Sequence, residues 1–184
     1  EDIDYSPVYD WDMETEGFTI ISDREPVDTI TARTDTDPAG YTFYDAIKIR
    51  EYGDTDIEYP SFYLGDIEEF ELSACDIDDL DGVQFCVNAR NIDLSDNRIT
   101  DLAPLSGLTN LEELNLSGNR IGYIDVLCTL GKLKNLIISD NEFEDISPLF
   151  GLDGLEYVDI SGNNIGEEQI RELSARGVTI WTGI

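Results

Sequence analysis

Carboxylates are the most abundant reactive side chains of this chain, which has 41 acidic residues, 11 basic residues and no histidine. Carboxylate oxygens bind calcium when a short loop arranges several of them around one point. The ligand and glycine positions of an EF-hand loop are matched by Asp12, Glu14, Glu16, Gly17 and Asp23. A second acidic stretch at residues 35–40 lacks one ligand. Because such matches arise by chance in an acidic chain, we expect at most weak calcium association with these loops and no metal site.

Three cysteines are the next candidates for chemistry. Cys75, Cys86 and Cys128 form no CxxC pair, and without histidine they do not match the usual zinc ligand sets. Cys75 and Cys86 occupy inward positions of the repeat described below. We expect them to be buried free thiols, and a disulfide between them is the alternative. Cys128 aligns with Ser106 and Phe150 at an outward position.

The sequence gives little support for catalysis. It contains no histidine, no glycine-rich phosphate loop and no nucleophile elbow, so we expect no enzyme, no catalytic residue and no cofactor. A formal net charge of -30 argues against binding to nucleic acid or anionic lipid. No apolar run approaches the ~20 residues of a membrane span. The charge fits a solvated surface, and a platform for a basic partner is the functional alternative.

One pattern returns four times between residues 89 and 165. Asparagines spaced by 22 residues mark it, at Asn97, Asn119, Asn141 and Asn163. Apolar residues return in the same register at Leu94, Leu116, Ile138 and Ile160, and again at Ile99, Ile121, Phe143 and Ile165. A period in this range is typical of a solenoid, because one unit cannot bury its own apolar face and stacks on its neighbours.

Each unit contains a short Leu-x-Leu stretch in which inward apolar and outward polar residues alternate. This alternation predicts a strand with one buried face, and stacking the units predicts a parallel sheet. The asparagine follows where the chain leaves the strand, so its amide can bond backbone groups that the turn leaves unpaired. We therefore expect the four asparagines to form a structural ladder.

These residues resemble the 22-residue leucine-rich repeats of bacterial internalin-like surface proteins and of intracellular phosphatase-regulator-like proteins. The stretch NRITDLAPLSGLTNLEELNLSGNRI carries the resemblance, which extends over residues 67–181. It implies an α/β leucine-rich-repeat solenoid with one short parallel strand per turn on the concave face. An N-terminal aromatic and helical cap and a C-terminal helix–strand cap are expected at the ends.

The internalin-like resemblance implies a noncatalytic protein-interaction module, for recognition or adhesion, in an exported, extracellular or cell-surface protein. The chain begins with Glu1, and we expect a trimmed product whose export signal is gone. An intracellular phosphatase-regulator-like scaffold subunit is one alternative. A structural, salt-adapted spacer is another, because its stability would rise as salt screens the charge.

We divide the chain into four parts. Residues 1–40 are an acidic aromatic segment with short strands, 41–66 the N-terminal cap, 67–165 the repeats and 166–184 the C-terminal cap. In the N-terminal cap we predict a helix whose buried face contains Phe43, Ala46, Ile47 and Arg50 and which stops at Gly53. A strand through Ile47 and Ile49 is the alternative. We expect the cap's remaining aromatic residues to be buried rather than to form a ligand site.

The outward columns of the predicted sheet are the candidate binding surface. One column alternates in charge and suggests an ion ladder through Glu68, Arg90, Glu112, Lys134 and Glu156. The candidate partner-binding residues lie on the neighbouring columns and are Glu71, Asp93, Glu113, Asn115, Ile137, Tyr157 and Asp159. We expect an unidentified protein partner there, of basic character if the carboxylates take part.

Overall fold

The computed structural model describes residues 40–183. The acidic loops and short strands expected before residue 40 lie outside the described residues. The described part contains two α-helices, eight short strands and several 3-10 helices.

Six strands form one parallel sheet in which each strand pairs with the equivalent strand of the next repeat. They are β2 (Glu69–Glu71), β4 (Asn91–Asp93), β5 (Glu113–Asn115), β6 (Asn135–Ile137), β7 (Tyr157–Asp159) and β8 (Thr179–Trp181). The pairing register is constant, since Asn91 lies opposite Glu113 and Glu113 opposite Asn135. A leucine-rich-repeat solenoid is thereby confirmed.

The central residue of each strand points into the core, which runs the length of the solenoid. Ile92, Leu114 and Leu136 are buried there, and the next inward column contains Leu94, Leu116 and Ile138. On the opposite side the chain returns through 3-10 helices at Val83–Phe85, Ala103–Gly107, Asp125–Thr129 and Ser147–Gly151. Each helix inserts one apolar residue, such as Leu105 or Leu127, into the same core. The core is therefore a stack of similar layers, each covered by the next.

The described part begins with the two-residue strand β1 (Tyr41–Thr42), which pairs with β3 (Ile77–Asp79), and continues into helix α1 (Phe43–Tyr52). The helix was the expected element. Thr42 caps it by accepting a hydrogen bond from the Asp45 backbone N–H at 3.0 Å, and Gly53 ends it with a φ of +74°.

Helix α1 covers the first coil through a face that differs in two residues from the expected one. Phe43, Ala46 and Ile47 are buried as expected, and the Phe43 ring lies 5.6 Å from the Phe70 ring of β2. Tyr44 is also buried, whereas Arg50 is exposed. The guanidinium of Arg50 instead reaches Glu71 at 3.6 Å.

The C-terminal end is closed by helix α2 (Glu167–Ala175) and strand β8. Leu173 and Val178 are buried under this cap. Gln169 bonds the last turn of the solenoid, because its side chain accepts from the Ile146 N–H at 2.8 Å and donates to the Glu144 carbonyl at 3.0 Å. The last turn thus has its backbone groups satisfied by a side chain from the cap.

Candidate functional site

The asparagines form a continuous hydrogen-bonded ladder beneath the edge of the sheet. Asn119 Nδ2 donates to the carbonyls of Leu94 at 2.9 Å and Leu116 at 3.0 Å, and its Oδ1 accepts from the Ile99 N–H at 3.0 Å. Asn97 also donates to the Leu94 carbonyl. Each such carbonyl is shared by the asparagines of two consecutive repeats, so the repeats are tied together through side chains as well as through the strands.

The residue before each ladder asparagine, and before Cys75 at the equivalent place of the first repeat, has a positive φ, which fixes the turn that follows the strand. This column reads Ala74, Asp96, Gly118, Asp140 and Gly162, with φ between +52° and +73°. A Cβ atom at Gly118 would lie 2.5 Å from Asp96 Oδ1, and one at Gly162 would lie 2.1 Å from Asp140 Oδ1. From Asp96 onward, aspartate and glycine alternate in this column. The carboxylate of each aspartate occupies the space that a side chain would need at the same position of the next repeat, so that position is glycine.

The ladder and this turn hold the outward columns of the sheet rigidly, and three of the candidate binding residues also help to form the turn. Asp93 Oδ1 accepts from the N–H and the hydroxyl of Ser95, at 2.9 and 2.7 Å. Asn115 accepts from both groups of Ser117 in the same way, as Asp159 does from those of Ser161. These side chains therefore end the strand as well as face solvent.

The remaining candidate residues lie along the same outward surface. Glu71 and Glu113 are exposed, and Glu113 accepts a hydrogen bond from Asn135 Nδ2 at 3.1 Å. Ile137 and Tyr157 are half-buried on β6 and β7. The structure therefore places an acidic region toward β2 and an apolar pair toward the C-terminal end of the same sheet.

The alternating column forms ion pairs between successive strands. Arg90 contacts Glu68 at 3.4 Å and Glu112 at 3.2 Å, and Lys134 Nζ contacts Glu112 at 2.5 Å. The hydrogen bond and charge of Lys134 lower the pKa of Glu112 below its usual value, and the same contact raises the pKa of Lys134. Since Arg90 and Lys134 are exposed and Glu112 is only half-buried, the ladder contributes little to stability and mainly fixes side-chain positions.

The cysteines are free thiols in three different environments. Cys86 is fully buried, and burial raises the pKa of its thiol to about 12. Cys75 is half-buried; burial raises its pKa, against a smaller opposing effect of the Arg50 charge. Cys128 is exposed on the outer side. The expected buried thiols are thus found at Cys86 and only partly at Cys75, and residues 40–183 contain no group of side chains suited to hold a metal ion.

The structure also shows exposed aromatic residues that sequence reasoning missed. Tyr52, Phe62 and Tyr63 were expected to be buried in the cap, but each is about half exposed. The ring of Tyr59 lies 5.9 Å from the Tyr52 ring and 5.8 Å from the Tyr63 ring, and the Phe62 ring lies 4.3 Å from that of Tyr63. On the turn before the 3-10 helix Asp125–Thr129, Tyr123 is 82% exposed. Tyr52, Phe62 and Tyr63 lie outside the repeats, so periodicity does not predict their exposure. Tyr123 lies 22 residues after Asp101 and 22 before Asp145, and this register could have shown that its ring faces outward.

Sheet, ladder and caps define a leucine-rich-repeat protein, a class whose curved stack presents an extended binding surface and is typically noncatalytic. Residues 90–128 match the family of leucine-rich repeats (2 copies). This match and the described sheet together show that the chain contains a leucine-rich-repeat solenoid. No helix of residues 40–183 is both long enough and apolar enough to cross a membrane.

Solved structures with a similar fold include proteins from two bacterial genera. An internalin from Listeria monocytogenes is 20% identical, with a TM-score of 0.57 over 73% of this chain and 46% of its own. A leucine-rich-repeat protein from Leptospira interrogans is 23% identical, with a TM-score of 0.60 over 67% of this chain and 34% of its own. Internalin C2 from Listeria monocytogenes is 25% identical, with a TM-score of 0.53 over 75% of this chain and 71% of its own. The chain therefore spans less than half the length of the first two. A search of curated proteins gave no match.

Proposed function

We propose that this protein is a noncatalytic recognition or adhesion module of an exported or cell-surface protein, and that it binds a protein partner through the outward face of the six-stranded sheet. The likeness to internalins supports the location outside the cell. The observation that supports the binding face is the set of outward columns, which no helix or strand of residues 40–183 covers and which the asparagine ladder holds in register at the strand spacing of ~4.8 Å.

The composition of this face indicates the character of the partner. Carboxylates of Glu71, Asp93 and Glu113 lie on three neighbouring strands, so their potentials add on a chain of net charge -30. Ile137 and Tyr157 provide an apolar contact of the kind that anchors protein interfaces. A partner with a basic surface next to an exposed apolar residue fits both regions.

Binding through the outward face of the sheet can be tested by immobilising the protein through the thiol of Cys128. Attachment through Cys128, which is exposed on the outer side, leaves the sheet free. Proteins retained from cell-surface extracts are then compared between the native chain, a Tyr157→Ala variant and an Asp93→Asn/Glu113→Gln double variant. Asp93→Asn should preserve the turn, because Asn115 makes the same bonds to Ser117 at the equivalent position.

The proposal requires that both variants lose the same retained protein, and that association with the double variant slows several-fold at low salt and less at high salt. Glu168→Gln on α2 is the matched control, because it removes one negative charge away from the sheet. Equal binding by all variants would place the binding surface elsewhere. Fractionation of the native organism tests location, since recovery only from the cytosol would favour an intracellular scaffold.

A further inference from the structure

A cleft of about 360 Å³ lies between helix α1 and the first strand of the concave sheet. Its apolar floor contains Ile47 from the helix and Phe70 and Leu72 from the first coil. This volume falls within the range of about 300–1,000 Å³ that is usual for ligand pockets. The cleft adjoins Glu71, so it continues the acidic end of the proposed binding face.

The rim of the cleft is acidic. Glu51 on α1 and Glu69 and Glu71 on β2 contribute three carboxylates, and all three residues are exposed. The one cationic group among the described lining residues is Arg50, whose guanidinium lies 3.6 Å from Glu71. The described lining therefore has a formal charge of -2, from three carboxylates and one guanidinium. An apolar floor under an acidic rim fits a ligand with an apolar stem and a cationic head.

The wall of the cleft also suits a cation. Tyr59 lines it, and its ring lies 6.1 Å from the Tyr44 ring. Tyr44 does not line the cleft, but the chain's own Lys48 Nζ lies 5.0 Å from the centroid of its ring, so the ring next to Tyr59 already holds one ammonium group over its face. Aromatic faces attract lysine and arginine head groups by the quadrupole of the ring.

We propose that this cleft binds an arginine or lysine side chain of the protein partner, whose adjoining segment then runs along the acidic columns of the sheet. The inference rests on the proposed function, because it assigns to the partner a basic anchor residue at the N-terminal end of the binding face. Glu51 and Glu69 would contact the cationic head, and the floor formed by Ile47, Phe70 and Leu72 would contact its methylene stem.

The test uses N-acetyl-L-arginine amide as the probe and ¹⁵N-labelled protein observed by NMR. We expect saturable shifts of the backbone amides of Ile67, Phe70 and Leu72, with weaker and non-saturating shifts elsewhere. Glu51→Gln and Glu69→Gln should each weaken probe binding by about two- to fivefold. Glu168→Gln provides the control, because it makes the same change of charge on the C-terminal helix. Thermal unfolding of each variant checks that the fold is intact.

Three outcomes would overturn the inference. The first is a set of shifts spread evenly over the acidic surface, and the second is equal weakening by Glu168→Gln. The third is saturable binding of N-acetyl-L-glutamate at the same amides, because this would assign the cleft to an anion held by Arg50. Each of these outcomes is compatible with loss of partner binding by the Asp93→Asn/Glu113→Gln variant. Each would therefore refute the cleft proposal without refuting the proposed binding face. Conversely, probe binding in the cleft with no effect of the sheet variants would refute the proposed binding face alone.

Discussion

Replacement of Asn119 by alanine tests whether the side-chain ladder holds the repeats together. The variant removes the bond from the buried Ile99 N–H to Asn119 Oδ1, which leaves that donor without its partner. A buried unsatisfied donor costs about 1–3 kcal/mol. The carbonyls of Leu94 and Leu116 each lose one of two donors but keep the amide of Asn97 or Asn141, respectively.

A net hydrogen bond contributes about 0.5–1.5 kcal/mol, and because each carbonyl keeps its second donor the upper limit is not reached, so these two losses add about 1–2 kcal/mol. We therefore expect Asn119→Ala to lower the free energy of unfolding by about 2–5 kcal/mol, which is a large part of the 5–15 kcal/mol usual for a domain. Urea unfolding followed by far-UV circular dichroism measures the change. Asn164→Ala is the matched control, because that exposed amide bonds the exposed Glu144 side chain. A loss below about 1 kcal/mol for Asn119→Ala, or an equal loss for Asn164→Ala, would refute the ladder argument.

Three further predictions concern titratable groups. At pH 7.5 a maleimide should label Cys128 rapidly, Cys75 slowly and Cys86 only in urea, as mass spectrometry of tryptic peptides would show; rapid labelling of Cys86 would contradict its burial. Burial raises the pKa of Cys86 from 9.0 to about 12, so the folded protein keeps this thiol protonated at pH values where the unfolded chain ionises it. The stability that the protonated thiol contributes is complete below pH 9. Above pH 9 the free energy of unfolding falls as pH rises, by about 1.4 kcal/mol at pH 10. Urea midpoints should therefore fall between pH 8 and 10, and less steeply in Cys86→Ser; parallel slopes would argue against ionisation of this thiol. The pKa of Glu112 is lowered by Lys134, so their pair stabilises above the usual pKa of a glutamate and is lost as pH falls through the lowered value. A small stability difference between native protein and Glu112→Gln should thus be present at pH 7, shrink in molar salt and vanish in acid, and a difference that persists in acid would refute the pairing.

The repeat could be predicted from the sequence because its physical causes are periodic. Apolar residues that return at a fixed interval occupy equivalent positions in successive coils of the core. The inward columns that contain Leu94 and Ile99 could therefore be predicted from the interval alone. The ion pairs of Arg90 with Glu68 and Glu112 follow from the same register. The double role of Asp93 could also have been found, since an aspartate or asparagine two residues before a serine is a turn signal that returns at Asn115.

The N-terminal cap was predicted less completely because nothing in it repeats. The helix had local signals, namely a threonine cap and a glycine stop, and these set its limits at Phe43 and Tyr52. The exposure of Phe62 depends on how residues after Gly53 return to the sheet, which no period determines. Arg50 lies on the predicted face in a helical projection, but its side chain is exposed and its guanidinium lies 3.6 Å from Glu71.

Tyr123 helps to decide between a recognition module and a spacer. In the other repeats its position is occupied by Asp79, Asp101 and Asp145, each of which accepts a hydrogen bond from the backbone N–H two residues later. A tyrosine has no carboxylate for this bond, and here its ring is 82% exposed. The function of a spacer requires only the turn of the repeat, so it does not explain why this hydrogen bond is lost and an aromatic ring is exposed to water. Binding to another protein does explain the exposed ring, because exposed tyrosines are frequent anchors of protein interfaces.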